Sequence, residues 1–290
     1  VLACMRAKSA DEVLAALPPA PNFGFNPSAG PTGSWGPVLD GSFFTEQPGE
    51  SFSTGNFNQV PTILGFTREE ARLFVWLGEL ADPPLEVTAR NYEELIAYFV
   101  GGDTELAARA VEEYPLSDYS EPAVALAAVA TDTIFRCPGK LEAAKLSAFV
   151  PTYLYQFEYQ DGHSQLEVAL PFIGGSLPSY DLGAFHAADI PYVFGYDPLL
   201  VIDSESFSTT LNTWEAGTVD RALWIEILSD FWRFALTDNP SPIGGLQWPT
   251  YDELTDQHMV YDTTVRVSSN AAEKCDFWAG EDYLVSELRD

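Results

Sequence analysis

Val60-Pro61-Thr62-Ile63-Leu64-Gly65-Phe66-Thr67-Arg68-Glu69-Glu70 is the stretch on which the fold turns. Val60 to Phe66 is short, mostly apolar and carries β-branched residues, the pattern of a buried strand. It runs directly into Thr67-Arg68-Glu69-Glu70, a Thr with a Glu three positions on, which reads as a capping box opening a helix through about Leu80. Working outward, Asn91 to Glu94 repeats that start signal, and Gly101-Gly102 closes a second helix. From Asp103 to Phe149, Ala-rich amphipathic patterning predicts three helices, interrupted at Tyr114-Pro115 and at Cys137-Pro138-Gly139. Thr152 to Tyr159 alternates and is rich in Tyr and Phe, a strand that ends at the Asp161-Gly162 turn. Val219 to Leu236 reads as a long amphipathic helix, Val260 to Val267 as a last strand and Cys275 to Leu288 as a closing helix. Strands separated by long helical stretches imply an α/β architecture, a mostly parallel sheet flanked by helices.

The first 60 residues are different, rich in Pro, Gly and Ser, with an Asp40-Gly41 turn between short extended runs. They read as loops anchored by aromatics, part of the same domain. The 290-residue chain is 46% hydrophobic and 13% aromatic, enough apolar surface to offset the chain entropy lost on folding. It carries 43 acidic residues against 14 basic ones, a formal charge of -29 spread along its length. Such a surface repels phosphates, which argues against nucleic acid and anionic membranes as partners. No run reaches the roughly 18 apolar residues of a membrane span.

Chemistry-bearing residues are sparse. The three cysteines, Cys4, Cys137 and Cys275, have no zinc-type spacing, and His163, His186 and His258 are scattered, so no metal or cofactor is expected. An odd cysteine count leaves either free buried thiols or one internal disulfide plus an unmatched cysteine. In a parallel sheet, functional groups gather just beyond the carboxyl ends of strands. Glu69 and Glu70 fit that placing, as does His186 within Gly183-Ala184-Phe185-His186-Ala187-Ala188-Asp189-Ile190-Pro191-Tyr192-Val193-Phe194-Gly195. Each also has an ordinary explanation. Local pattern favours Glu70 as a backbone cap, and a lone His beside Phe185 as a structural histidine. His163 follows a turn and His258 lies in a polar stretch, so both read as solvated. Phe74, Trp76 and Tyr155 suit a hydrophobic cleft, though core packing explains each of them better. Spacing alone leaves an acidic α/β domain of unassigned activity.

The order of motifs says more. Cys4-Met5-Arg6, Pro37-Val38-Leu39-Asp40-Gly41 and the Val60–Glu70 stretch come first. Thr131-Asp132-Thr133-Ile134-Phe135-Arg136-Cys137-Pro138, the His186 loop, Trp232-Arg233-Phe234-Ala235, Trp248-Pro249-Thr250-Tyr251 and Cys275-Asp276-Phe277-Trp278 follow. In that order, the series closely resembles the C-terminal part of type-B carboxylesterases, the cholinesterase-like branch of the α/β-hydrolases that includes fungal lipases and sterol esterases. The resemblance implies that residues 1–290 are the C-terminal portion of one α/β-hydrolase domain. It implies a serine ester hydrolase in which Glu70 is the triad acid and His186 the general base, with Glu69 the acid if the register slips by one. The family usually has Gly after the acid; here Ala71 stands there, at a position expected to enter a helix and so able to carry a methyl group.

The nucleophile elbow Gly-x-Ser-x-Gly occurs nowhere in the sequence: Gly174-Gly175-Ser176 comes nearest, and Pro178 ends the match. The resemblance places that elbow and the oxyanion loop upstream of Val1, where the chain shows neither an initiator Met nor a signal peptide. It also implies a Cys137–Cys275 disulfide, and a pairing of Cys4 with a cysteine shortly upstream. The expectation is therefore a secreted, proteolytically processed esterase or lipase acting on an ester or lipid. Its N-terminal chain, cut from the same precursor and disulfide-linked through Cys4, carries the serine. The alternative is a non-catalytic cholinesterase-like binding module.

Overall fold

The structure, a computed structural model, describes residues 2–15, 38–160, 178–195, 200–203, 208–211, 217–269 and 274–280. Three short helices, α1 (Leu2–Arg6), α2 (Ala10–Ala15) and α3 (Pro48–Thr54), precede the first strand, β1 (Thr62–Thr67). Five helices follow: α4 (Arg72–Glu79), α5 (Tyr92–Phe99), α6 (Thr104–Glu113), α7 (Pro122–Ala130) and α8 (Cys137–Ser147). After β2 (Thr152–Phe157) come α9 (Ile190–Phe194), β3 (Leu200–Asp203), β4 (Ser208–Leu211) and the long α10 (Val219–Thr237). The last elements are β5 (Gln257–Tyr261), β6 (Arg266–Ser269) and α11 (Cys275–Gly280).

The main sheet has the order β1-β2-β5-β6, and β3 and β4 form a separate antiparallel pair. β1 pairs with β2 in parallel, Thr62 opposite Thr152, and β2 pairs in parallel with β5. Both are apolar on both faces because helices cover both faces, as parallel sheets require. The alternation of β2 divides its side chains. Tyr153, Tyr155 and Phe157 pack with Leu223 and Ile227 of α10, while Leu154 packs with Phe66, Ala143 and Tyr251 on the α8 side. A larger core lies among α4 to α7, where Val75, Trp76, Ile96 and Leu126 are buried. Helix α7 is apolar all round, Pro122-Ala-Val-Ala-Leu-Ala-Ala-Val-Ala130, and is buried almost throughout.

Two tethers hold this helical layer to the exit of β1. The Cys137–Cys275 disulfide joins the starts of α8 and α11 across a sequence separation of 138 residues. Beside it, Trp278 Nε1 donates to Tyr114 Oη at 2.8 Å, and that hydroxyl donates to buried Asp132 at 2.6 Å. Asp132 also binds Arg136, whose Nη2 donates to the Arg68 carbonyl at 2.8 Å.

Several sequence expectations need correcting. The predicted last strand is a hairpin: β5 and β6 run antiparallel, with Asp262 to Val265 as the turn. The alternation of those residues hides a turn made of Asp262, Thr263 and Thr264. Thr67 ends β1, and α4 starts only at Arg72 with Ala71 as its N-terminal flank, so Thr67 caps no helix and its buried hydroxyl has no partner among the described residues. Asn91 does flank α5, but its side chain accepts from the Thr88 N–H and hydroxyl instead of the helix's first amides. Cys137-Pro138-Gly139 breaks nothing: a π-helical segment, Thr131–Arg136, leads straight into α8, and Pro138 sits in a first turn, where no amide is needed. Asp40 makes the expected turn, accepting from the amides of Ser42 and Phe43, without strands beside it among the described residues. His258 is not solvated. It lies in β5, fully buried beside Met259 and Val260, with Nδ1 on the Asp256 carbonyl at 3.0 Å. His163, the Asp161-Gly162 turn, Gly174-Gly175-Ser176 and the proposed helix beyond Gly280 lie outside the described residues.

Candidate active site

β1 delivers Thr67 to its carboxyl end, and a turn over Arg68 to Ala71 places Glu69 and Glu70 there side by side, both buried. They point to different partners. Glu70 uses both oxygens: Oε1 accepts the Thr67 N–H at 2.7 Å, and Oε2 lies 2.7 Å from His186 Nδ1. The capping contact and the contact to histidine therefore coexist, one on each oxygen. The backbone adds a third link, His186 N–H to the Glu70 carbonyl at 3.3 Å. Ala71 follows in right-handed helical geometry with its N–H on the Thr131 hydroxyl at 3.0 Å, a conformation that carries a methyl group without strain.

Glu69 turns toward the histidine loop. Its Oε2 accepts the Ala184 N–H at 2.9 Å, its own N–H donates to the Ala184 carbonyl at 2.9 Å, and Gln160 donates to Oε1 at 3.0 Å. A Cβ on Gly183 (φ +62) would fall 2.8 Å from that carboxylate, so both the turn and the close approach call for glycine. Burial pushes the Glu69 carboxyl above its ordinary value, and Arg72 works against that shift.

His186 is the second residue of a β-turn closed by Ala188 N–H to the Phe185 carbonyl at 2.9 Å. The third residue, Ala187, sits at φ +72, a left-handed conformation that costs a non-glycine residue about 1 kcal/mol. The imidazole packs, tilted, against the stacked pair of Phe74 and Phe135, with ring centroids 4.9 and 5.2 Å away. Its side chain is 43% exposed, and among the described residues Nε2 has no partner. The hydrogen bond to Glu70 raises the imidazole above its usual 6.5, burial opposes this, and the charges of Glu70 and Asp189 add to the rise. With Nδ1–H held on a carboxylate, Nε2 is the lone-pair nitrogen, the one able to take up a proton.

Two residues with no sequence pattern to join them complete the surroundings. Tyr155 Oη donates to Asp189 at 2.6 Å, from a strand to a residue three positions after His186. Tyr155 reaches it by lying flat across Gly65 of β1, where a Cβ would meet the ring at 2.0 Å. Burial raises the Asp189 carboxyl, and the Tyr155 hydrogen bond lowers it. Of the cleft aromatics, Phe74 touches the imidazole while Trp76 is a core residue at 1% exposure. Among the described residues no three His, Cys, Asp or Glu are grouped to hold a metal ion. Cys4 is exposed and free among the described residues.

The model of the carboxylesterase family matches residues 1–278. The chain belongs to that family. Among its relatives, it is 26% identical over 221 residues to the crystal protein of Dictyostelium discoideum, matching 74% of this chain and 35% of that protein. It is also 26% identical over 235 residues to para-nitrobenzyl esterase of Bacillus subtilis (strain 168), matching 81% of this chain and 40% of that enzyme. Two solved esterases share the fold. A PNB esterase gives a TM-score of 0.61 at 23% identity, over 98% of this chain and 50% of that one. Aspergillus niger EstA gives 0.65 at 17% identity, over 98% and 52%. The carboxylesterase-family chain thus has an α/β-hydrolase type of fold, with a mostly parallel sheet, and spans about half the length of the solved relatives and less of the curated ones.

Proposed function

We propose that Glu70 and His186 are the acid and general base of a Ser-Glu-His triad in a carboxylic ester hydrolase. The serine and oxyanion donors would come from an N-terminal segment outside this sequence. The observation that carries the reading is the 2.7 Å Glu70–His186 contact on a half-exposed ring whose Nε2 is unpartnered among the described residues. In this mechanism Nε2 removes the proton from the serine hydroxyl as it attacks the ester carbonyl, then delivers it to the departing alcohol. Glu70 fixes the tautomer and stabilises the imidazolium. Phe74 and Phe135 restrict the ring's rotation and lower the local dielectric, which strengthens the Glu70 contact.

The sheet supports a completing segment. β1 pairs on one side with β2 and, among the described residues, its other edge meets no strand. A parallel β-strand edge of this length is ordinarily paired or covered. A strand laid along it would end level with Thr67, beside Glu70. Exposed Cys4 offers the attachment point for that segment as a disulfide-linked chain of the same precursor. A Cys137–Cys275 disulfide suits an extracellular compartment. The substrate class is a carboxylic or lipid ester.

Intact mass with and without reductant tests the arrangement. A larger species that reduction splits, releasing a chain with Gly-x-Ser-x-Gly, agrees with a two-chain esterase joined through Cys4. A lone 31.8 kDa species would refute it and put the binding-module reading first.

A further inference from the structure

Basic residues are scarce in this chain, yet three arginines converge on one cavity behind the Glu70 turn. The cavity has a volume of about 140 Å³. It is lined by Arg68, Arg72, Arg136 and Glu69, by Val124, Ala127 and Ala128 of α7, and by Tyr119 and Thr131. Three of the 14 Lys and Arg residues therefore face one small space in a protein of net charge -29. All three act on Glu69, the single carboxylate in the lining.

Their commitments differ. Arg136 is held by Asp132 and by the Arg68 carbonyl, so it contributes field more than donors. Arg72 Nη1 donates to the Asp181 carbonyl at 2.7 Å, and its Nη2 stays 3.9 Å from Glu69. Arg68 reaches Glu69 through Nε at 3.2 Å, is 50% exposed, and makes no other ion pair or side-chain hydrogen bond among the described residues. Its guanidinium can still offer a fork to a carboxylate. The rest of the lining is the aliphatic Val124, Ala127 and Ala128 with the hydroxyl-bearing Tyr119 and Thr131, and it carries no further charge.

We infer that this cavity is a binding site for a small aliphatic monocarboxylate, its head on Arg68 and Arg72 and its tail against Val124, Ala127 and Ala128. The size agrees: a cavity of roughly 150 Å³ accommodates a benzene-sized molecule, which corresponds to an acid of about four to six carbons. A bare oxyanion such as sulfate leaves the aliphatic wall unfilled, and an uncharged analogue brings no charge to the Arg68 fork. The site lies beside the Glu70–His186 pair and is distinct from it, since Glu69 faces the cavity and Glu70 does not.

Calorimetric titration of the purified full chain with sodium butyrate tests this, with butyramide and with sodium sulfate at matched ionic strength as comparisons. The readout is binding and needs no ester hydrolysis, so its outcome is independent of the triad proposal. Butyrate binds, butyramide and sulfate do so at least about tenfold more weakly, and Arg68→Gln weakens butyrate by about tenfold. Ala128→Phe, which fills the aliphatic end, also removes binding. Arg68 is half exposed, so its substitution leaves the fold intact, and circular dichroism verifies both variants. Butyrate binding unchanged in Arg68→Gln, an equal response to sulfate, or no butyrate binding to the folded wild-type chain overturns the inference.

Discussion

Replacing Glu70 by glutamine changes one atom, and the structure says what that atom does. Both carboxylate oxygens are acceptors, Oε1 for the Thr67 amide and Oε2 for His186 Nδ1, each at 2.7 Å. Glutamine has one acceptor left. With its carbonyl on Thr67, its NH₂ faces Nδ1, which must then be the bare nitrogen, and the ring proton moves to Nε2. With the amide flipped, its NH₂ meets the Thr67 N–H in a buried site, two donors facing each other at a cost of about 1–3 kcal/mol. The first orientation wins, so the ring keeps its place but holds the wrong tautomer. Turnover of a chromogenic acyl ester by protein that includes the serine-bearing segment then falls about 10,000-fold, the scale seen when an amide replaces a triad carboxylate. Nitrogen-resolved NMR of His186 should show the proton on Nδ1 in the wild type and on Nε2 in Glu70→Gln. The same spectra should show the imidazole titrating lower in the variant, because the interaction that raises it is gone. The sign for stability follows. A raised histidine contributes stability that is full below its ordinary 6.5 and fades as pH rises through the folded-state value. The His186-linked advantage of wild type over Glu70→Gln is therefore larger in mild acid than in alkali. Wild-type tautomer and turnover in Glu70→Gln would refute the reasoning.

Three further outcomes are expected. Glu69→Gln keeps a carbonyl for the Ala184 N–H, so turnover stays near wild type while denaturant unfolding shows a loss of about 1 kcal/mol; a collapse of turnover here, with Glu70→Gln active, would exchange the two roles. Cys275→Ser opens a loop of 138 residues, for which the chain-entropy argument gives a limit of about 5 kcal/mol, and urea unfolding should show a loss of about 2–5. Asp230 is buried against Tyr261 and Arg233, and burial lifts its carboxyl from 3.8 to about 6. A carboxyl raised by folding favours the native state most below its unfolded value, so wild type loses up to about 3 kcal/mol as pH climbs from 3.8 through 6. Asp230→Asn removes that slope, which urea midpoints between pH 4 and 7 measure directly.

Local patterns made much of this fold legible. The apolar run into β1, the aromatic alternation of β2 and the amphipathic α10 each follow from short-range periodicity, and each stands within a residue or two of its expected limits. Failures came where tertiary contacts outweighed the local signal. Thr67 and Glu70 have the spacing of a capping box, and Glu70 does accept the Thr67 amide, but the bond closes a turn before the helix begins. His258 follows Asp256 and Gln257 and so reads as solvated, whereas strand pairing on both sides of β5 buries it. The candidate site divides the same way. Glu70, His186 and the Cys137–Cys275 pairing came from the order of motifs, since the partners lie more than a hundred residues apart. The Tyr155–Asp189 bond, the contacts of Phe74 and Phe135 with the imidazole, and the three-arginine cavity had no sequence signature. Each arises from elements that meet only after folding.

The most direct test is hydrolysis of a p-nitrophenyl acyl ester by the protein carrying both this chain and the serine-bearing segment, compared with its His186→Ala variant. The account predicts a folded variant whose turnover has dropped by about a million-fold, the scale on which removal of a triad base acts. Turnover within about tenfold of wild type would mean that Nε2 of His186 handles no proton in the reaction, and the Glu70–His186 pair would be structural.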